Sequence, residues 1–185
     1  MEAELYKSNC PGFDMVGVDY REYLPWLVQE QIESSYRQLR KAYETLYIIA
    51  NSIGAYFAMH TLKNHLIERA LFISPILNME RLILDMMKWA AITEDELEEK
   101  GEITTESGET LSWKYLSYVR QNPIKWSFPT KILYAEKDRL TARMTVDDFV
   151  ANHDAHLTIM EKGEHWFHTD EQITFLNEWI RAAIQ

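Results

Sequence analysis

The clearest chemical signal in this chain is a serine caught between an apolar run and a helical pattern. Ser52 stands in A-N-S-I-G-A, directly after L-Y-I-I-A-N at Leu46 and directly before a stretch bearing Tyr56, Phe57, Met59 and Leu62. A strand that turns abruptly into a helix throws the residue at the junction outward. Small residues two places before and two places after relieve the crowding, and Ala50 and Gly54 stand there. An alcohol becomes a useful nucleophile only when a base removes its proton, and that base works best when a carboxylate holds it in one tautomer. Two later loops offer these groups. Asp138 lies in A-E-K-D-R-L-T, just past the apolar run K-I-L-Y-A, and His165 lies in K-G-E-H-W-F-H, just past H-L-T-I-M.

Plainer readings exist for each of these residues. Ser52 could cap a helix, and Asp138 could be a turn or cap acid. Asp147 and Asp148 are weaker acids for the role because they fall inside the next helical pattern, and His168 abuts a helix start at Thr169. His60, His65, His153 and His156 read as helix or strand-edge residues. No His-x-x-x-His with a third ligand, paired cysteines or glycine-rich phosphate loop is present, so neither a metal site nor a cofactor is expected.

The elements that must position these groups follow from the hydrophobic pattern. Five short apolar runs, beginning at Phe13, Leu46, Ala70, Lys131 and His156, are continuous instead of alternating, as in parallel strands buried on both faces. Helical patterns separate them. Val28, Ile32, Tyr36, Leu39 and Tyr43 recur at three- and four-residue steps, and Ile173, Leu176, Ile180 and Ala183 do so after a capping-box spacing of Thr169 and Gln172. The expectation is a single α/β domain over residues 1–185: a mainly parallel sheet of about five strands with helices on both faces. The connection from Pro75 to Pro129 is too long for a simple crossover, and it reads as a helical lid insertion. It holds a helix with Leu82, Met86 and Trp89, an acidic helix from Thr93 to Lys100, a polar loop with Gly101 and Gly108, and an aromatic stretch from Trp113 to Trp126. Met86, Met87 and Trp89, with Trp166 beside the histidine, are the candidate substrate-binding residues, although the methionines and Trp89 could equally be the lid's packing face.

Bulk composition narrows the partners. With 46% hydrophobic and 26% charged residues the chain can build an ordinary globular core. A net charge of −10 disfavours nucleic acid and anionic lipid surfaces. The acidic start, the lone Cys10 and the absence of a membrane-length apolar run point to the cytoplasm. Cys10 reads as a buried small hydrophobe. A small-molecule acyl compound is the expected partner.

These segments together resemble the α/β-hydrolase superfamily. A-N-S-I-G-A-Y-F-A, I-L-Y-A-E-K-D-R-L-T and M-E-K-G-E-H-W-F-H are similar to its three catalytic blocks in their usual order, and V-G-V-D-Y-R is similar to the strand one helix before the nucleophile. The similarity is greatest to lid-bearing lipase, esterase and serine aminopeptidase-like members. It implies hydrolysis of an ester, thioester or amide through an acyl-enzyme, with Ser52, Asp138 and His165 as the triad. Asp19 resembles a structural position. Family members begin with three further strands and a His-Gly-type loop that completes the oxyanion hole, whereas Met1 to Asn9 resembles the helix after that loop, so the resemblance implies a truncated α/β-hydrolase fold. That leaves Ile53 as the one assigned donor and implies feeble turnover, or a non-catalytic binding protein. It also implies that the strand at Phe13 either pairs directly with the strand at Leu46 or is completed by another copy of the chain, as a homo-oligomer.

Overall fold

The computed structural model describes residues 6–185, and it divides the chain into two compact units. One comprises the chain up to Leu77 and from Lys125 onward; the other is Asn78–Ile124.

The first unit is organised by a four-stranded parallel sheet. Its strands are β1 (Tyr47–Asn51), β2 (Arg69–Ile73), β5 (Thr130–Ala135) and β6 (Ala155–Met160), side by side in that order. The register aligns Ala50 with Phe72, Ile73 with Leu133, and Ala135 with Met160, so all four strands end at one edge. Alternation along the strands divides the core in two. Leu71, Ile73, Leu133 and Ala135 pack with Tyr6, Cys10 and the C-terminal helix α7 (Asp170–Ala183) through Leu176, Trp179, Ile180 and Ala183. Residues of the other parity point away, and Phe72 meets Trp126 at a ring separation of 5.7 Å. The connecting helices are α1 (Pro25–Ala42), α2 (Ile53–Leu62) and α6 (Arg143–Asn152). Helix α2 lies against both β1 and α1, which explains why Ala55 to Leu62 are all buried and why its sequence is apolar all round.

Three expectations are corrected here. The run at Phe13 is no strand: residues 13–24 have no regular secondary structure, and Phe13, Val16 and Val18 are exposed. Apolar composition favours a strand only where a neighbour supplies the ladder. Among the described residues β1 pairs with β2 alone, and the Phe13 ring meets the Tyr47 ring edge-to-face without joining the ladder. The sheet therefore has four strands and not five. In α7 the buried face is Gln172, Leu176, Trp179, Ile180 and Ala183, while Ile173 is exposed. The helix is capped at Thr169 as expected, but the capping box is incomplete. Thr169 Oγ1 accepts from the Gln172 N–H, but the Gln172 carboxamide reaches past the cap to the His168 N–H. The expected helix at Met1 to Asn9 lies mostly outside the described residues.

The second unit contains α3 (Met79–Trp89), α4 (Glu94–Lys100), a hairpin of β3 (Glu102–Thr104) and β4 (Thr110–Ser112), and α5 (Trp113–Gln121). The expected polar loop is this hairpin, and Gly108, at φ +97°, takes the left-handed position of its turn. Each short helix carries its own start signal where one is available. Asn78 Oδ1 accepts from the Arg81 N–H, and Thr93 and Glu96 form a complete capping box. Arg120 of α5 joins Glu80 and Glu94 through 2.7 and 2.6 Å contacts, holding the three helices to one another. Among the described residues no helix is long and apolar enough to cross a membrane.

Burial raises the Cys10 thiol above its ordinary range. The native protein should therefore resist iodoacetamide at pH 8 and react within minutes once denaturant unfolds it. Rapid alkylation of the folded protein would place Cys10 outside the core.

Candidate active site

Only Ser52 separates β1 from α2, and the backbone at that residue is forced out of its ordinary range: φ is +49° and ψ −121°. Such a conformation is costly for a residue with a side chain and persists only when its surroundings dictate it. They do so from both sides. The Ser52 N–H donates to the Ile73 carbonyl at 2.9 Å, and its own carbonyl accepts from Ala55 and Ile76, each at 3.1 Å. A Cβ on Gly54 would lie 3.3 Å from the Tyr20 hydroxyl and 3.9 Å from the Ala50 Cβ, so the small residues do relieve crowding at this turn. Ser52 makes no side-chain capping bond to α2, which removes the plainer reading of it.

Its hydroxyl instead lies 2.9 Å from Nε2 of His165, whose Nδ1 is 2.7 Å from Asp138 Oδ2. The Asp138 side chain is fully buried and the His165 side chain is 7% exposed. The other carboxylate oxygen, Oδ1, accepts from the Leu140 and Thr141 N–H groups at 2.8 and 3.1 Å. With its oxygens engaged in this way, Asp138 is oriented to accept the Nδ1 proton, which leaves the Nε2 lone pair facing the serine.

The two loops are tied to each other as well as to their strands. Lys137 donates its N–H to the Gly163 carbonyl at 2.9 Å, and Lys162 donates its N–H to Glu136 Oε2 at 2.7 Å. Thr141 Oγ1 donates to the Pro75 carbonyl at 2.9 Å, anchoring the acid loop to the segment after β2. A Cβ on Gly163 would lie 3.0 Å from Met160 Cβ and 3.1 Å from its carbonyl oxygen, so a side chain there would require Met160 to shift. Sequence reading did not assign Glu136, Thr141 or Tyr20 any part in this arrangement. Gly163 had a visible signal, a glycine at a strand end two residues before the histidine.

The competitors are placed elsewhere. His168 is exposed and lies 3.4 Å from Glu164, Asp147 pairs with Arg143 at 2.8 Å, and Asp148 is an exposed residue of α6. His65 packs against Tyr36, His153 stacks on Phe149, and burial lowers the pKa of His60, favouring its neutral form. Trp166 packs edge-to-face on the His165 ring with centroids 4.7 Å apart, and it is 65% exposed. Ile53 opens α2, where the first N–H groups have no intrahelical acceptor. Met86, Met87 and Trp89 fall in the second unit; Met87 is buried and Trp89 exposed.

No protein-family model matches the sequence, and no curated protein matches it either. Solved structures do. The α/β hydrolase domain-containing protein 10 from mouse is 17% identical, with a TM-score of 0.67 over 87% of this chain and 69% of that one. Est1E from Butyrivibrio proteoclasticus is 12% identical, with a TM-score of 0.70 over 87% and 69%. An α/β serine hydrolase homologue from Coxiella burnetii is 13% identical, with a TM-score of 0.57 over 94% and 65%. The chain has the α/β-hydrolase fold. Within that fold the junction at Ser52, the loop after β5 and the loop after β6 meet at one sheet edge, as the parallel register requires.

The contact between Gly54 and Tyr20 can be tested with a double-mutant cycle. Gly54→Ala should cost about 1 kcal/mol in denaturant unfolding by overpacking against the Tyr20 hydroxyl. Tyr20→Phe in that background should recover part of the loss. Additive effects would show that the hydroxyl does not limit the turn.

Proposed function

We propose that this chain is a serine hydrolase acting on carboxylic esters of small molecules through an acyl-enzyme. The observation that carries the reading is the relay from a strained, outward Ser52 through His165 to a buried Asp138, at 2.9 and 2.7 Å. In it, His165 Nε2 takes the hydroxyl proton as Ser52 Oγ bonds to the acyl carbon. Asp138 accepts from Nδ1–H and stabilises the imidazolium that results. The electron pair displaced onto the carbonyl oxygen is met by the Ile53 N–H at the positive end of α2. As the carbon–oxygen bond to the leaving alcohol breaks, the imidazolium returns its proton to that oxygen. Water then repeats the sequence on the acyl-enzyme and frees the acid. The fold is shared with proteins named as hydrolases, which supports the reaction class.

Ile53 is the single oxyanion donor assigned, and that favours a second reading, a non-catalytic binding protein on the same fold. A fluorophosphonate separates the two: covalent labelling at Ser52, abolished in Ser52→Ala and His165→Ala, is expected of the hydrolase. Ser52→Ala should keep the wild-type unfolding free energy within about 0.5 kcal/mol, and both variants should lose turnover of a short p-nitrophenyl ester. Asp138→Asn should lower kcat on the order of 10⁴-fold, because the histidine is then held in the wrong tautomer. Wild-type turnover in any of the three would remove that residue from the relay.

A further inference from the structure

His165 and Trp166 are the two central residues of one β-turn, closed by the Phe167 N–H donating to the Glu164 carbonyl at 3.0 Å. The turn is pinned on both sides. Before it, Gly163 is buried and its carbonyl accepts from the Lys137 N–H. After it, Phe167 belongs to the core that includes Leu176 and Ile180, and it sits at φ +46°, a left-handed conformation that a bulky residue keeps only when its surroundings impose it. The backbone therefore sets where the indole of Trp166 stands, and it stands on the imidazole of His165, at 81° with centroids 4.7 Å apart.

Core packing does not explain this indole. A tryptophan stabilises a fold by burying its large apolar surface, whereas Trp166 leaves most of its surface in solvent. Its neighbour is the reverse case, because His165 is buried although its ring carries two polar nitrogens. The relay gives the contact a task. In the resting site Nδ1 is engaged by Asp138 and Nε2 by Ser52 Oγ. Once Oγ has bonded to the acyl carbon that second partner is gone, and the ring must keep its place until it has activated a water. The Asp138 bond then orients the ring alone, and such a bond is stronger where water is kept from it. A misplacement of about 1 Å at a reacting group can cost on the order of 10²-fold in rate.

We propose that Trp166 is a positioning residue: its edge-to-face contact holds the imidazole of His165 and keeps water from the Asp138 hydrogen bond while Ser52 is acylated. The role differs from the substrate contact expected of Trp166, and kinetics separate the two. The kinetic part rests on the hydrolase reading above; the hold on the ring does not.

The hold on the ring is read first, without turnover, by NMR of ¹⁵N-labelled protein. The proton on His165 Nδ1 should be visible in the wild type, exchange with solvent at least about tenfold faster in Trp166→Ala, and be slowed again in Trp166→Phe, whose ring still reaches the imidazole. A signal already absent from the wild type, or equal exchange in all three proteins, overturns the proposal. The three should unfold at the same urea concentration, because the exposed indole adds little to the core. Unfolding of Trp166→Ala at a clearly lower concentration would make Trp166 a packing residue and overturn the proposal as well.

Kinetics then read the role. With p-nitrophenyl acetate, the first-turnover release of p-nitrophenol gives the acylation rate, and decay of the acylated protein in quenched samples, followed by intact mass, gives the deacylation rate. Trp166→Ala should slow deacylation about tenfold or more and acylation less than about threefold, without raising KM. Trp166→Phe should recover most of the loss. A raised KM with both steps intact makes Trp166 a substrate contact, and equal slowing of both steps makes it a general prop of the loop; either result overturns the proposal. If the wild type turns over no ester and the fluorophosphonate leaves Ser52 unlabelled, the hydrolase reading fails, and the exchange of the Nδ1 proton still decides whether Trp166 holds the ring.

Discussion

The peptide unit at Ser52 sits in a backbone conformation that a serine would not adopt by itself, and most of the first unit is arranged to hold it there. The Ile73 carbonyl fixes its N–H, while Ala55 and Ile76 fix its carbonyl. The parallel pairing of β1 with β2 is what brings Ile73 level with Asn51 and hence within reach of the next N–H. Without that register the strand could relax before turning, and the hydroxyl would no longer point away from the helix it precedes.

The histidine and the acid reach the same point because parallel strands all finish at one edge of the sheet. Strand β2 holds the nucleophile turn, β5 ends just before the acid, and β6 ends just before the histidine. Strand ends alone would leave two loops free to move. The Lys137 to Gly163 and Lys162 to Glu136 bonds lock the loops to each other, and Thr141 locks the acid loop to Pro75. Beneath them, the core of Leu71, Ile73, Leu133, Met160 and α7 keeps the strand ends level. Relay geometry is thus inherited from sheet packing, so few residues need to touch the reacting atoms.

Much of this site was legible in the residues. Ser52, Asp138 and His165 each follow an apolar run, and only a parallel sheet brings three such run-ends to one edge. The competing assignments, His168, Asp147 and Asp148, could be disfavoured from their places in helices or at a cap. The failures have a common cause. The run at Phe13 matches a buried strand in composition, but pairing depends on a neighbour's free backbone groups, which lie far away in sequence. The hairpin at Glu102–Ser112 was hidden because strands of three residues carry too few side chains to show an alternation. Ile173 fits the helical period yet is exposed, since the period identifies a stripe but the neighbours decide where burial stops.

Local chemistry and order along the chain were therefore determined by sequence: which serine stands at a strand-to-helix turn, which acid and histidine follow strands, and which helices carry their own caps. Tertiary structure alone decided the relay distances, the cross-loop bonds that hold them, and the crowding of Tyr20 on Gly54 and of Met160 on Gly163. It alone also placed Asn51 and Trp166, which are 115 positions apart in the numbering 51 to 166, on the wall of one cavity. The division is physical. Turn chemistry and periodicity act over a few residues and leave marks in composition, whereas register, close approach and enclosed volume arise between segments that only the folded core brings together.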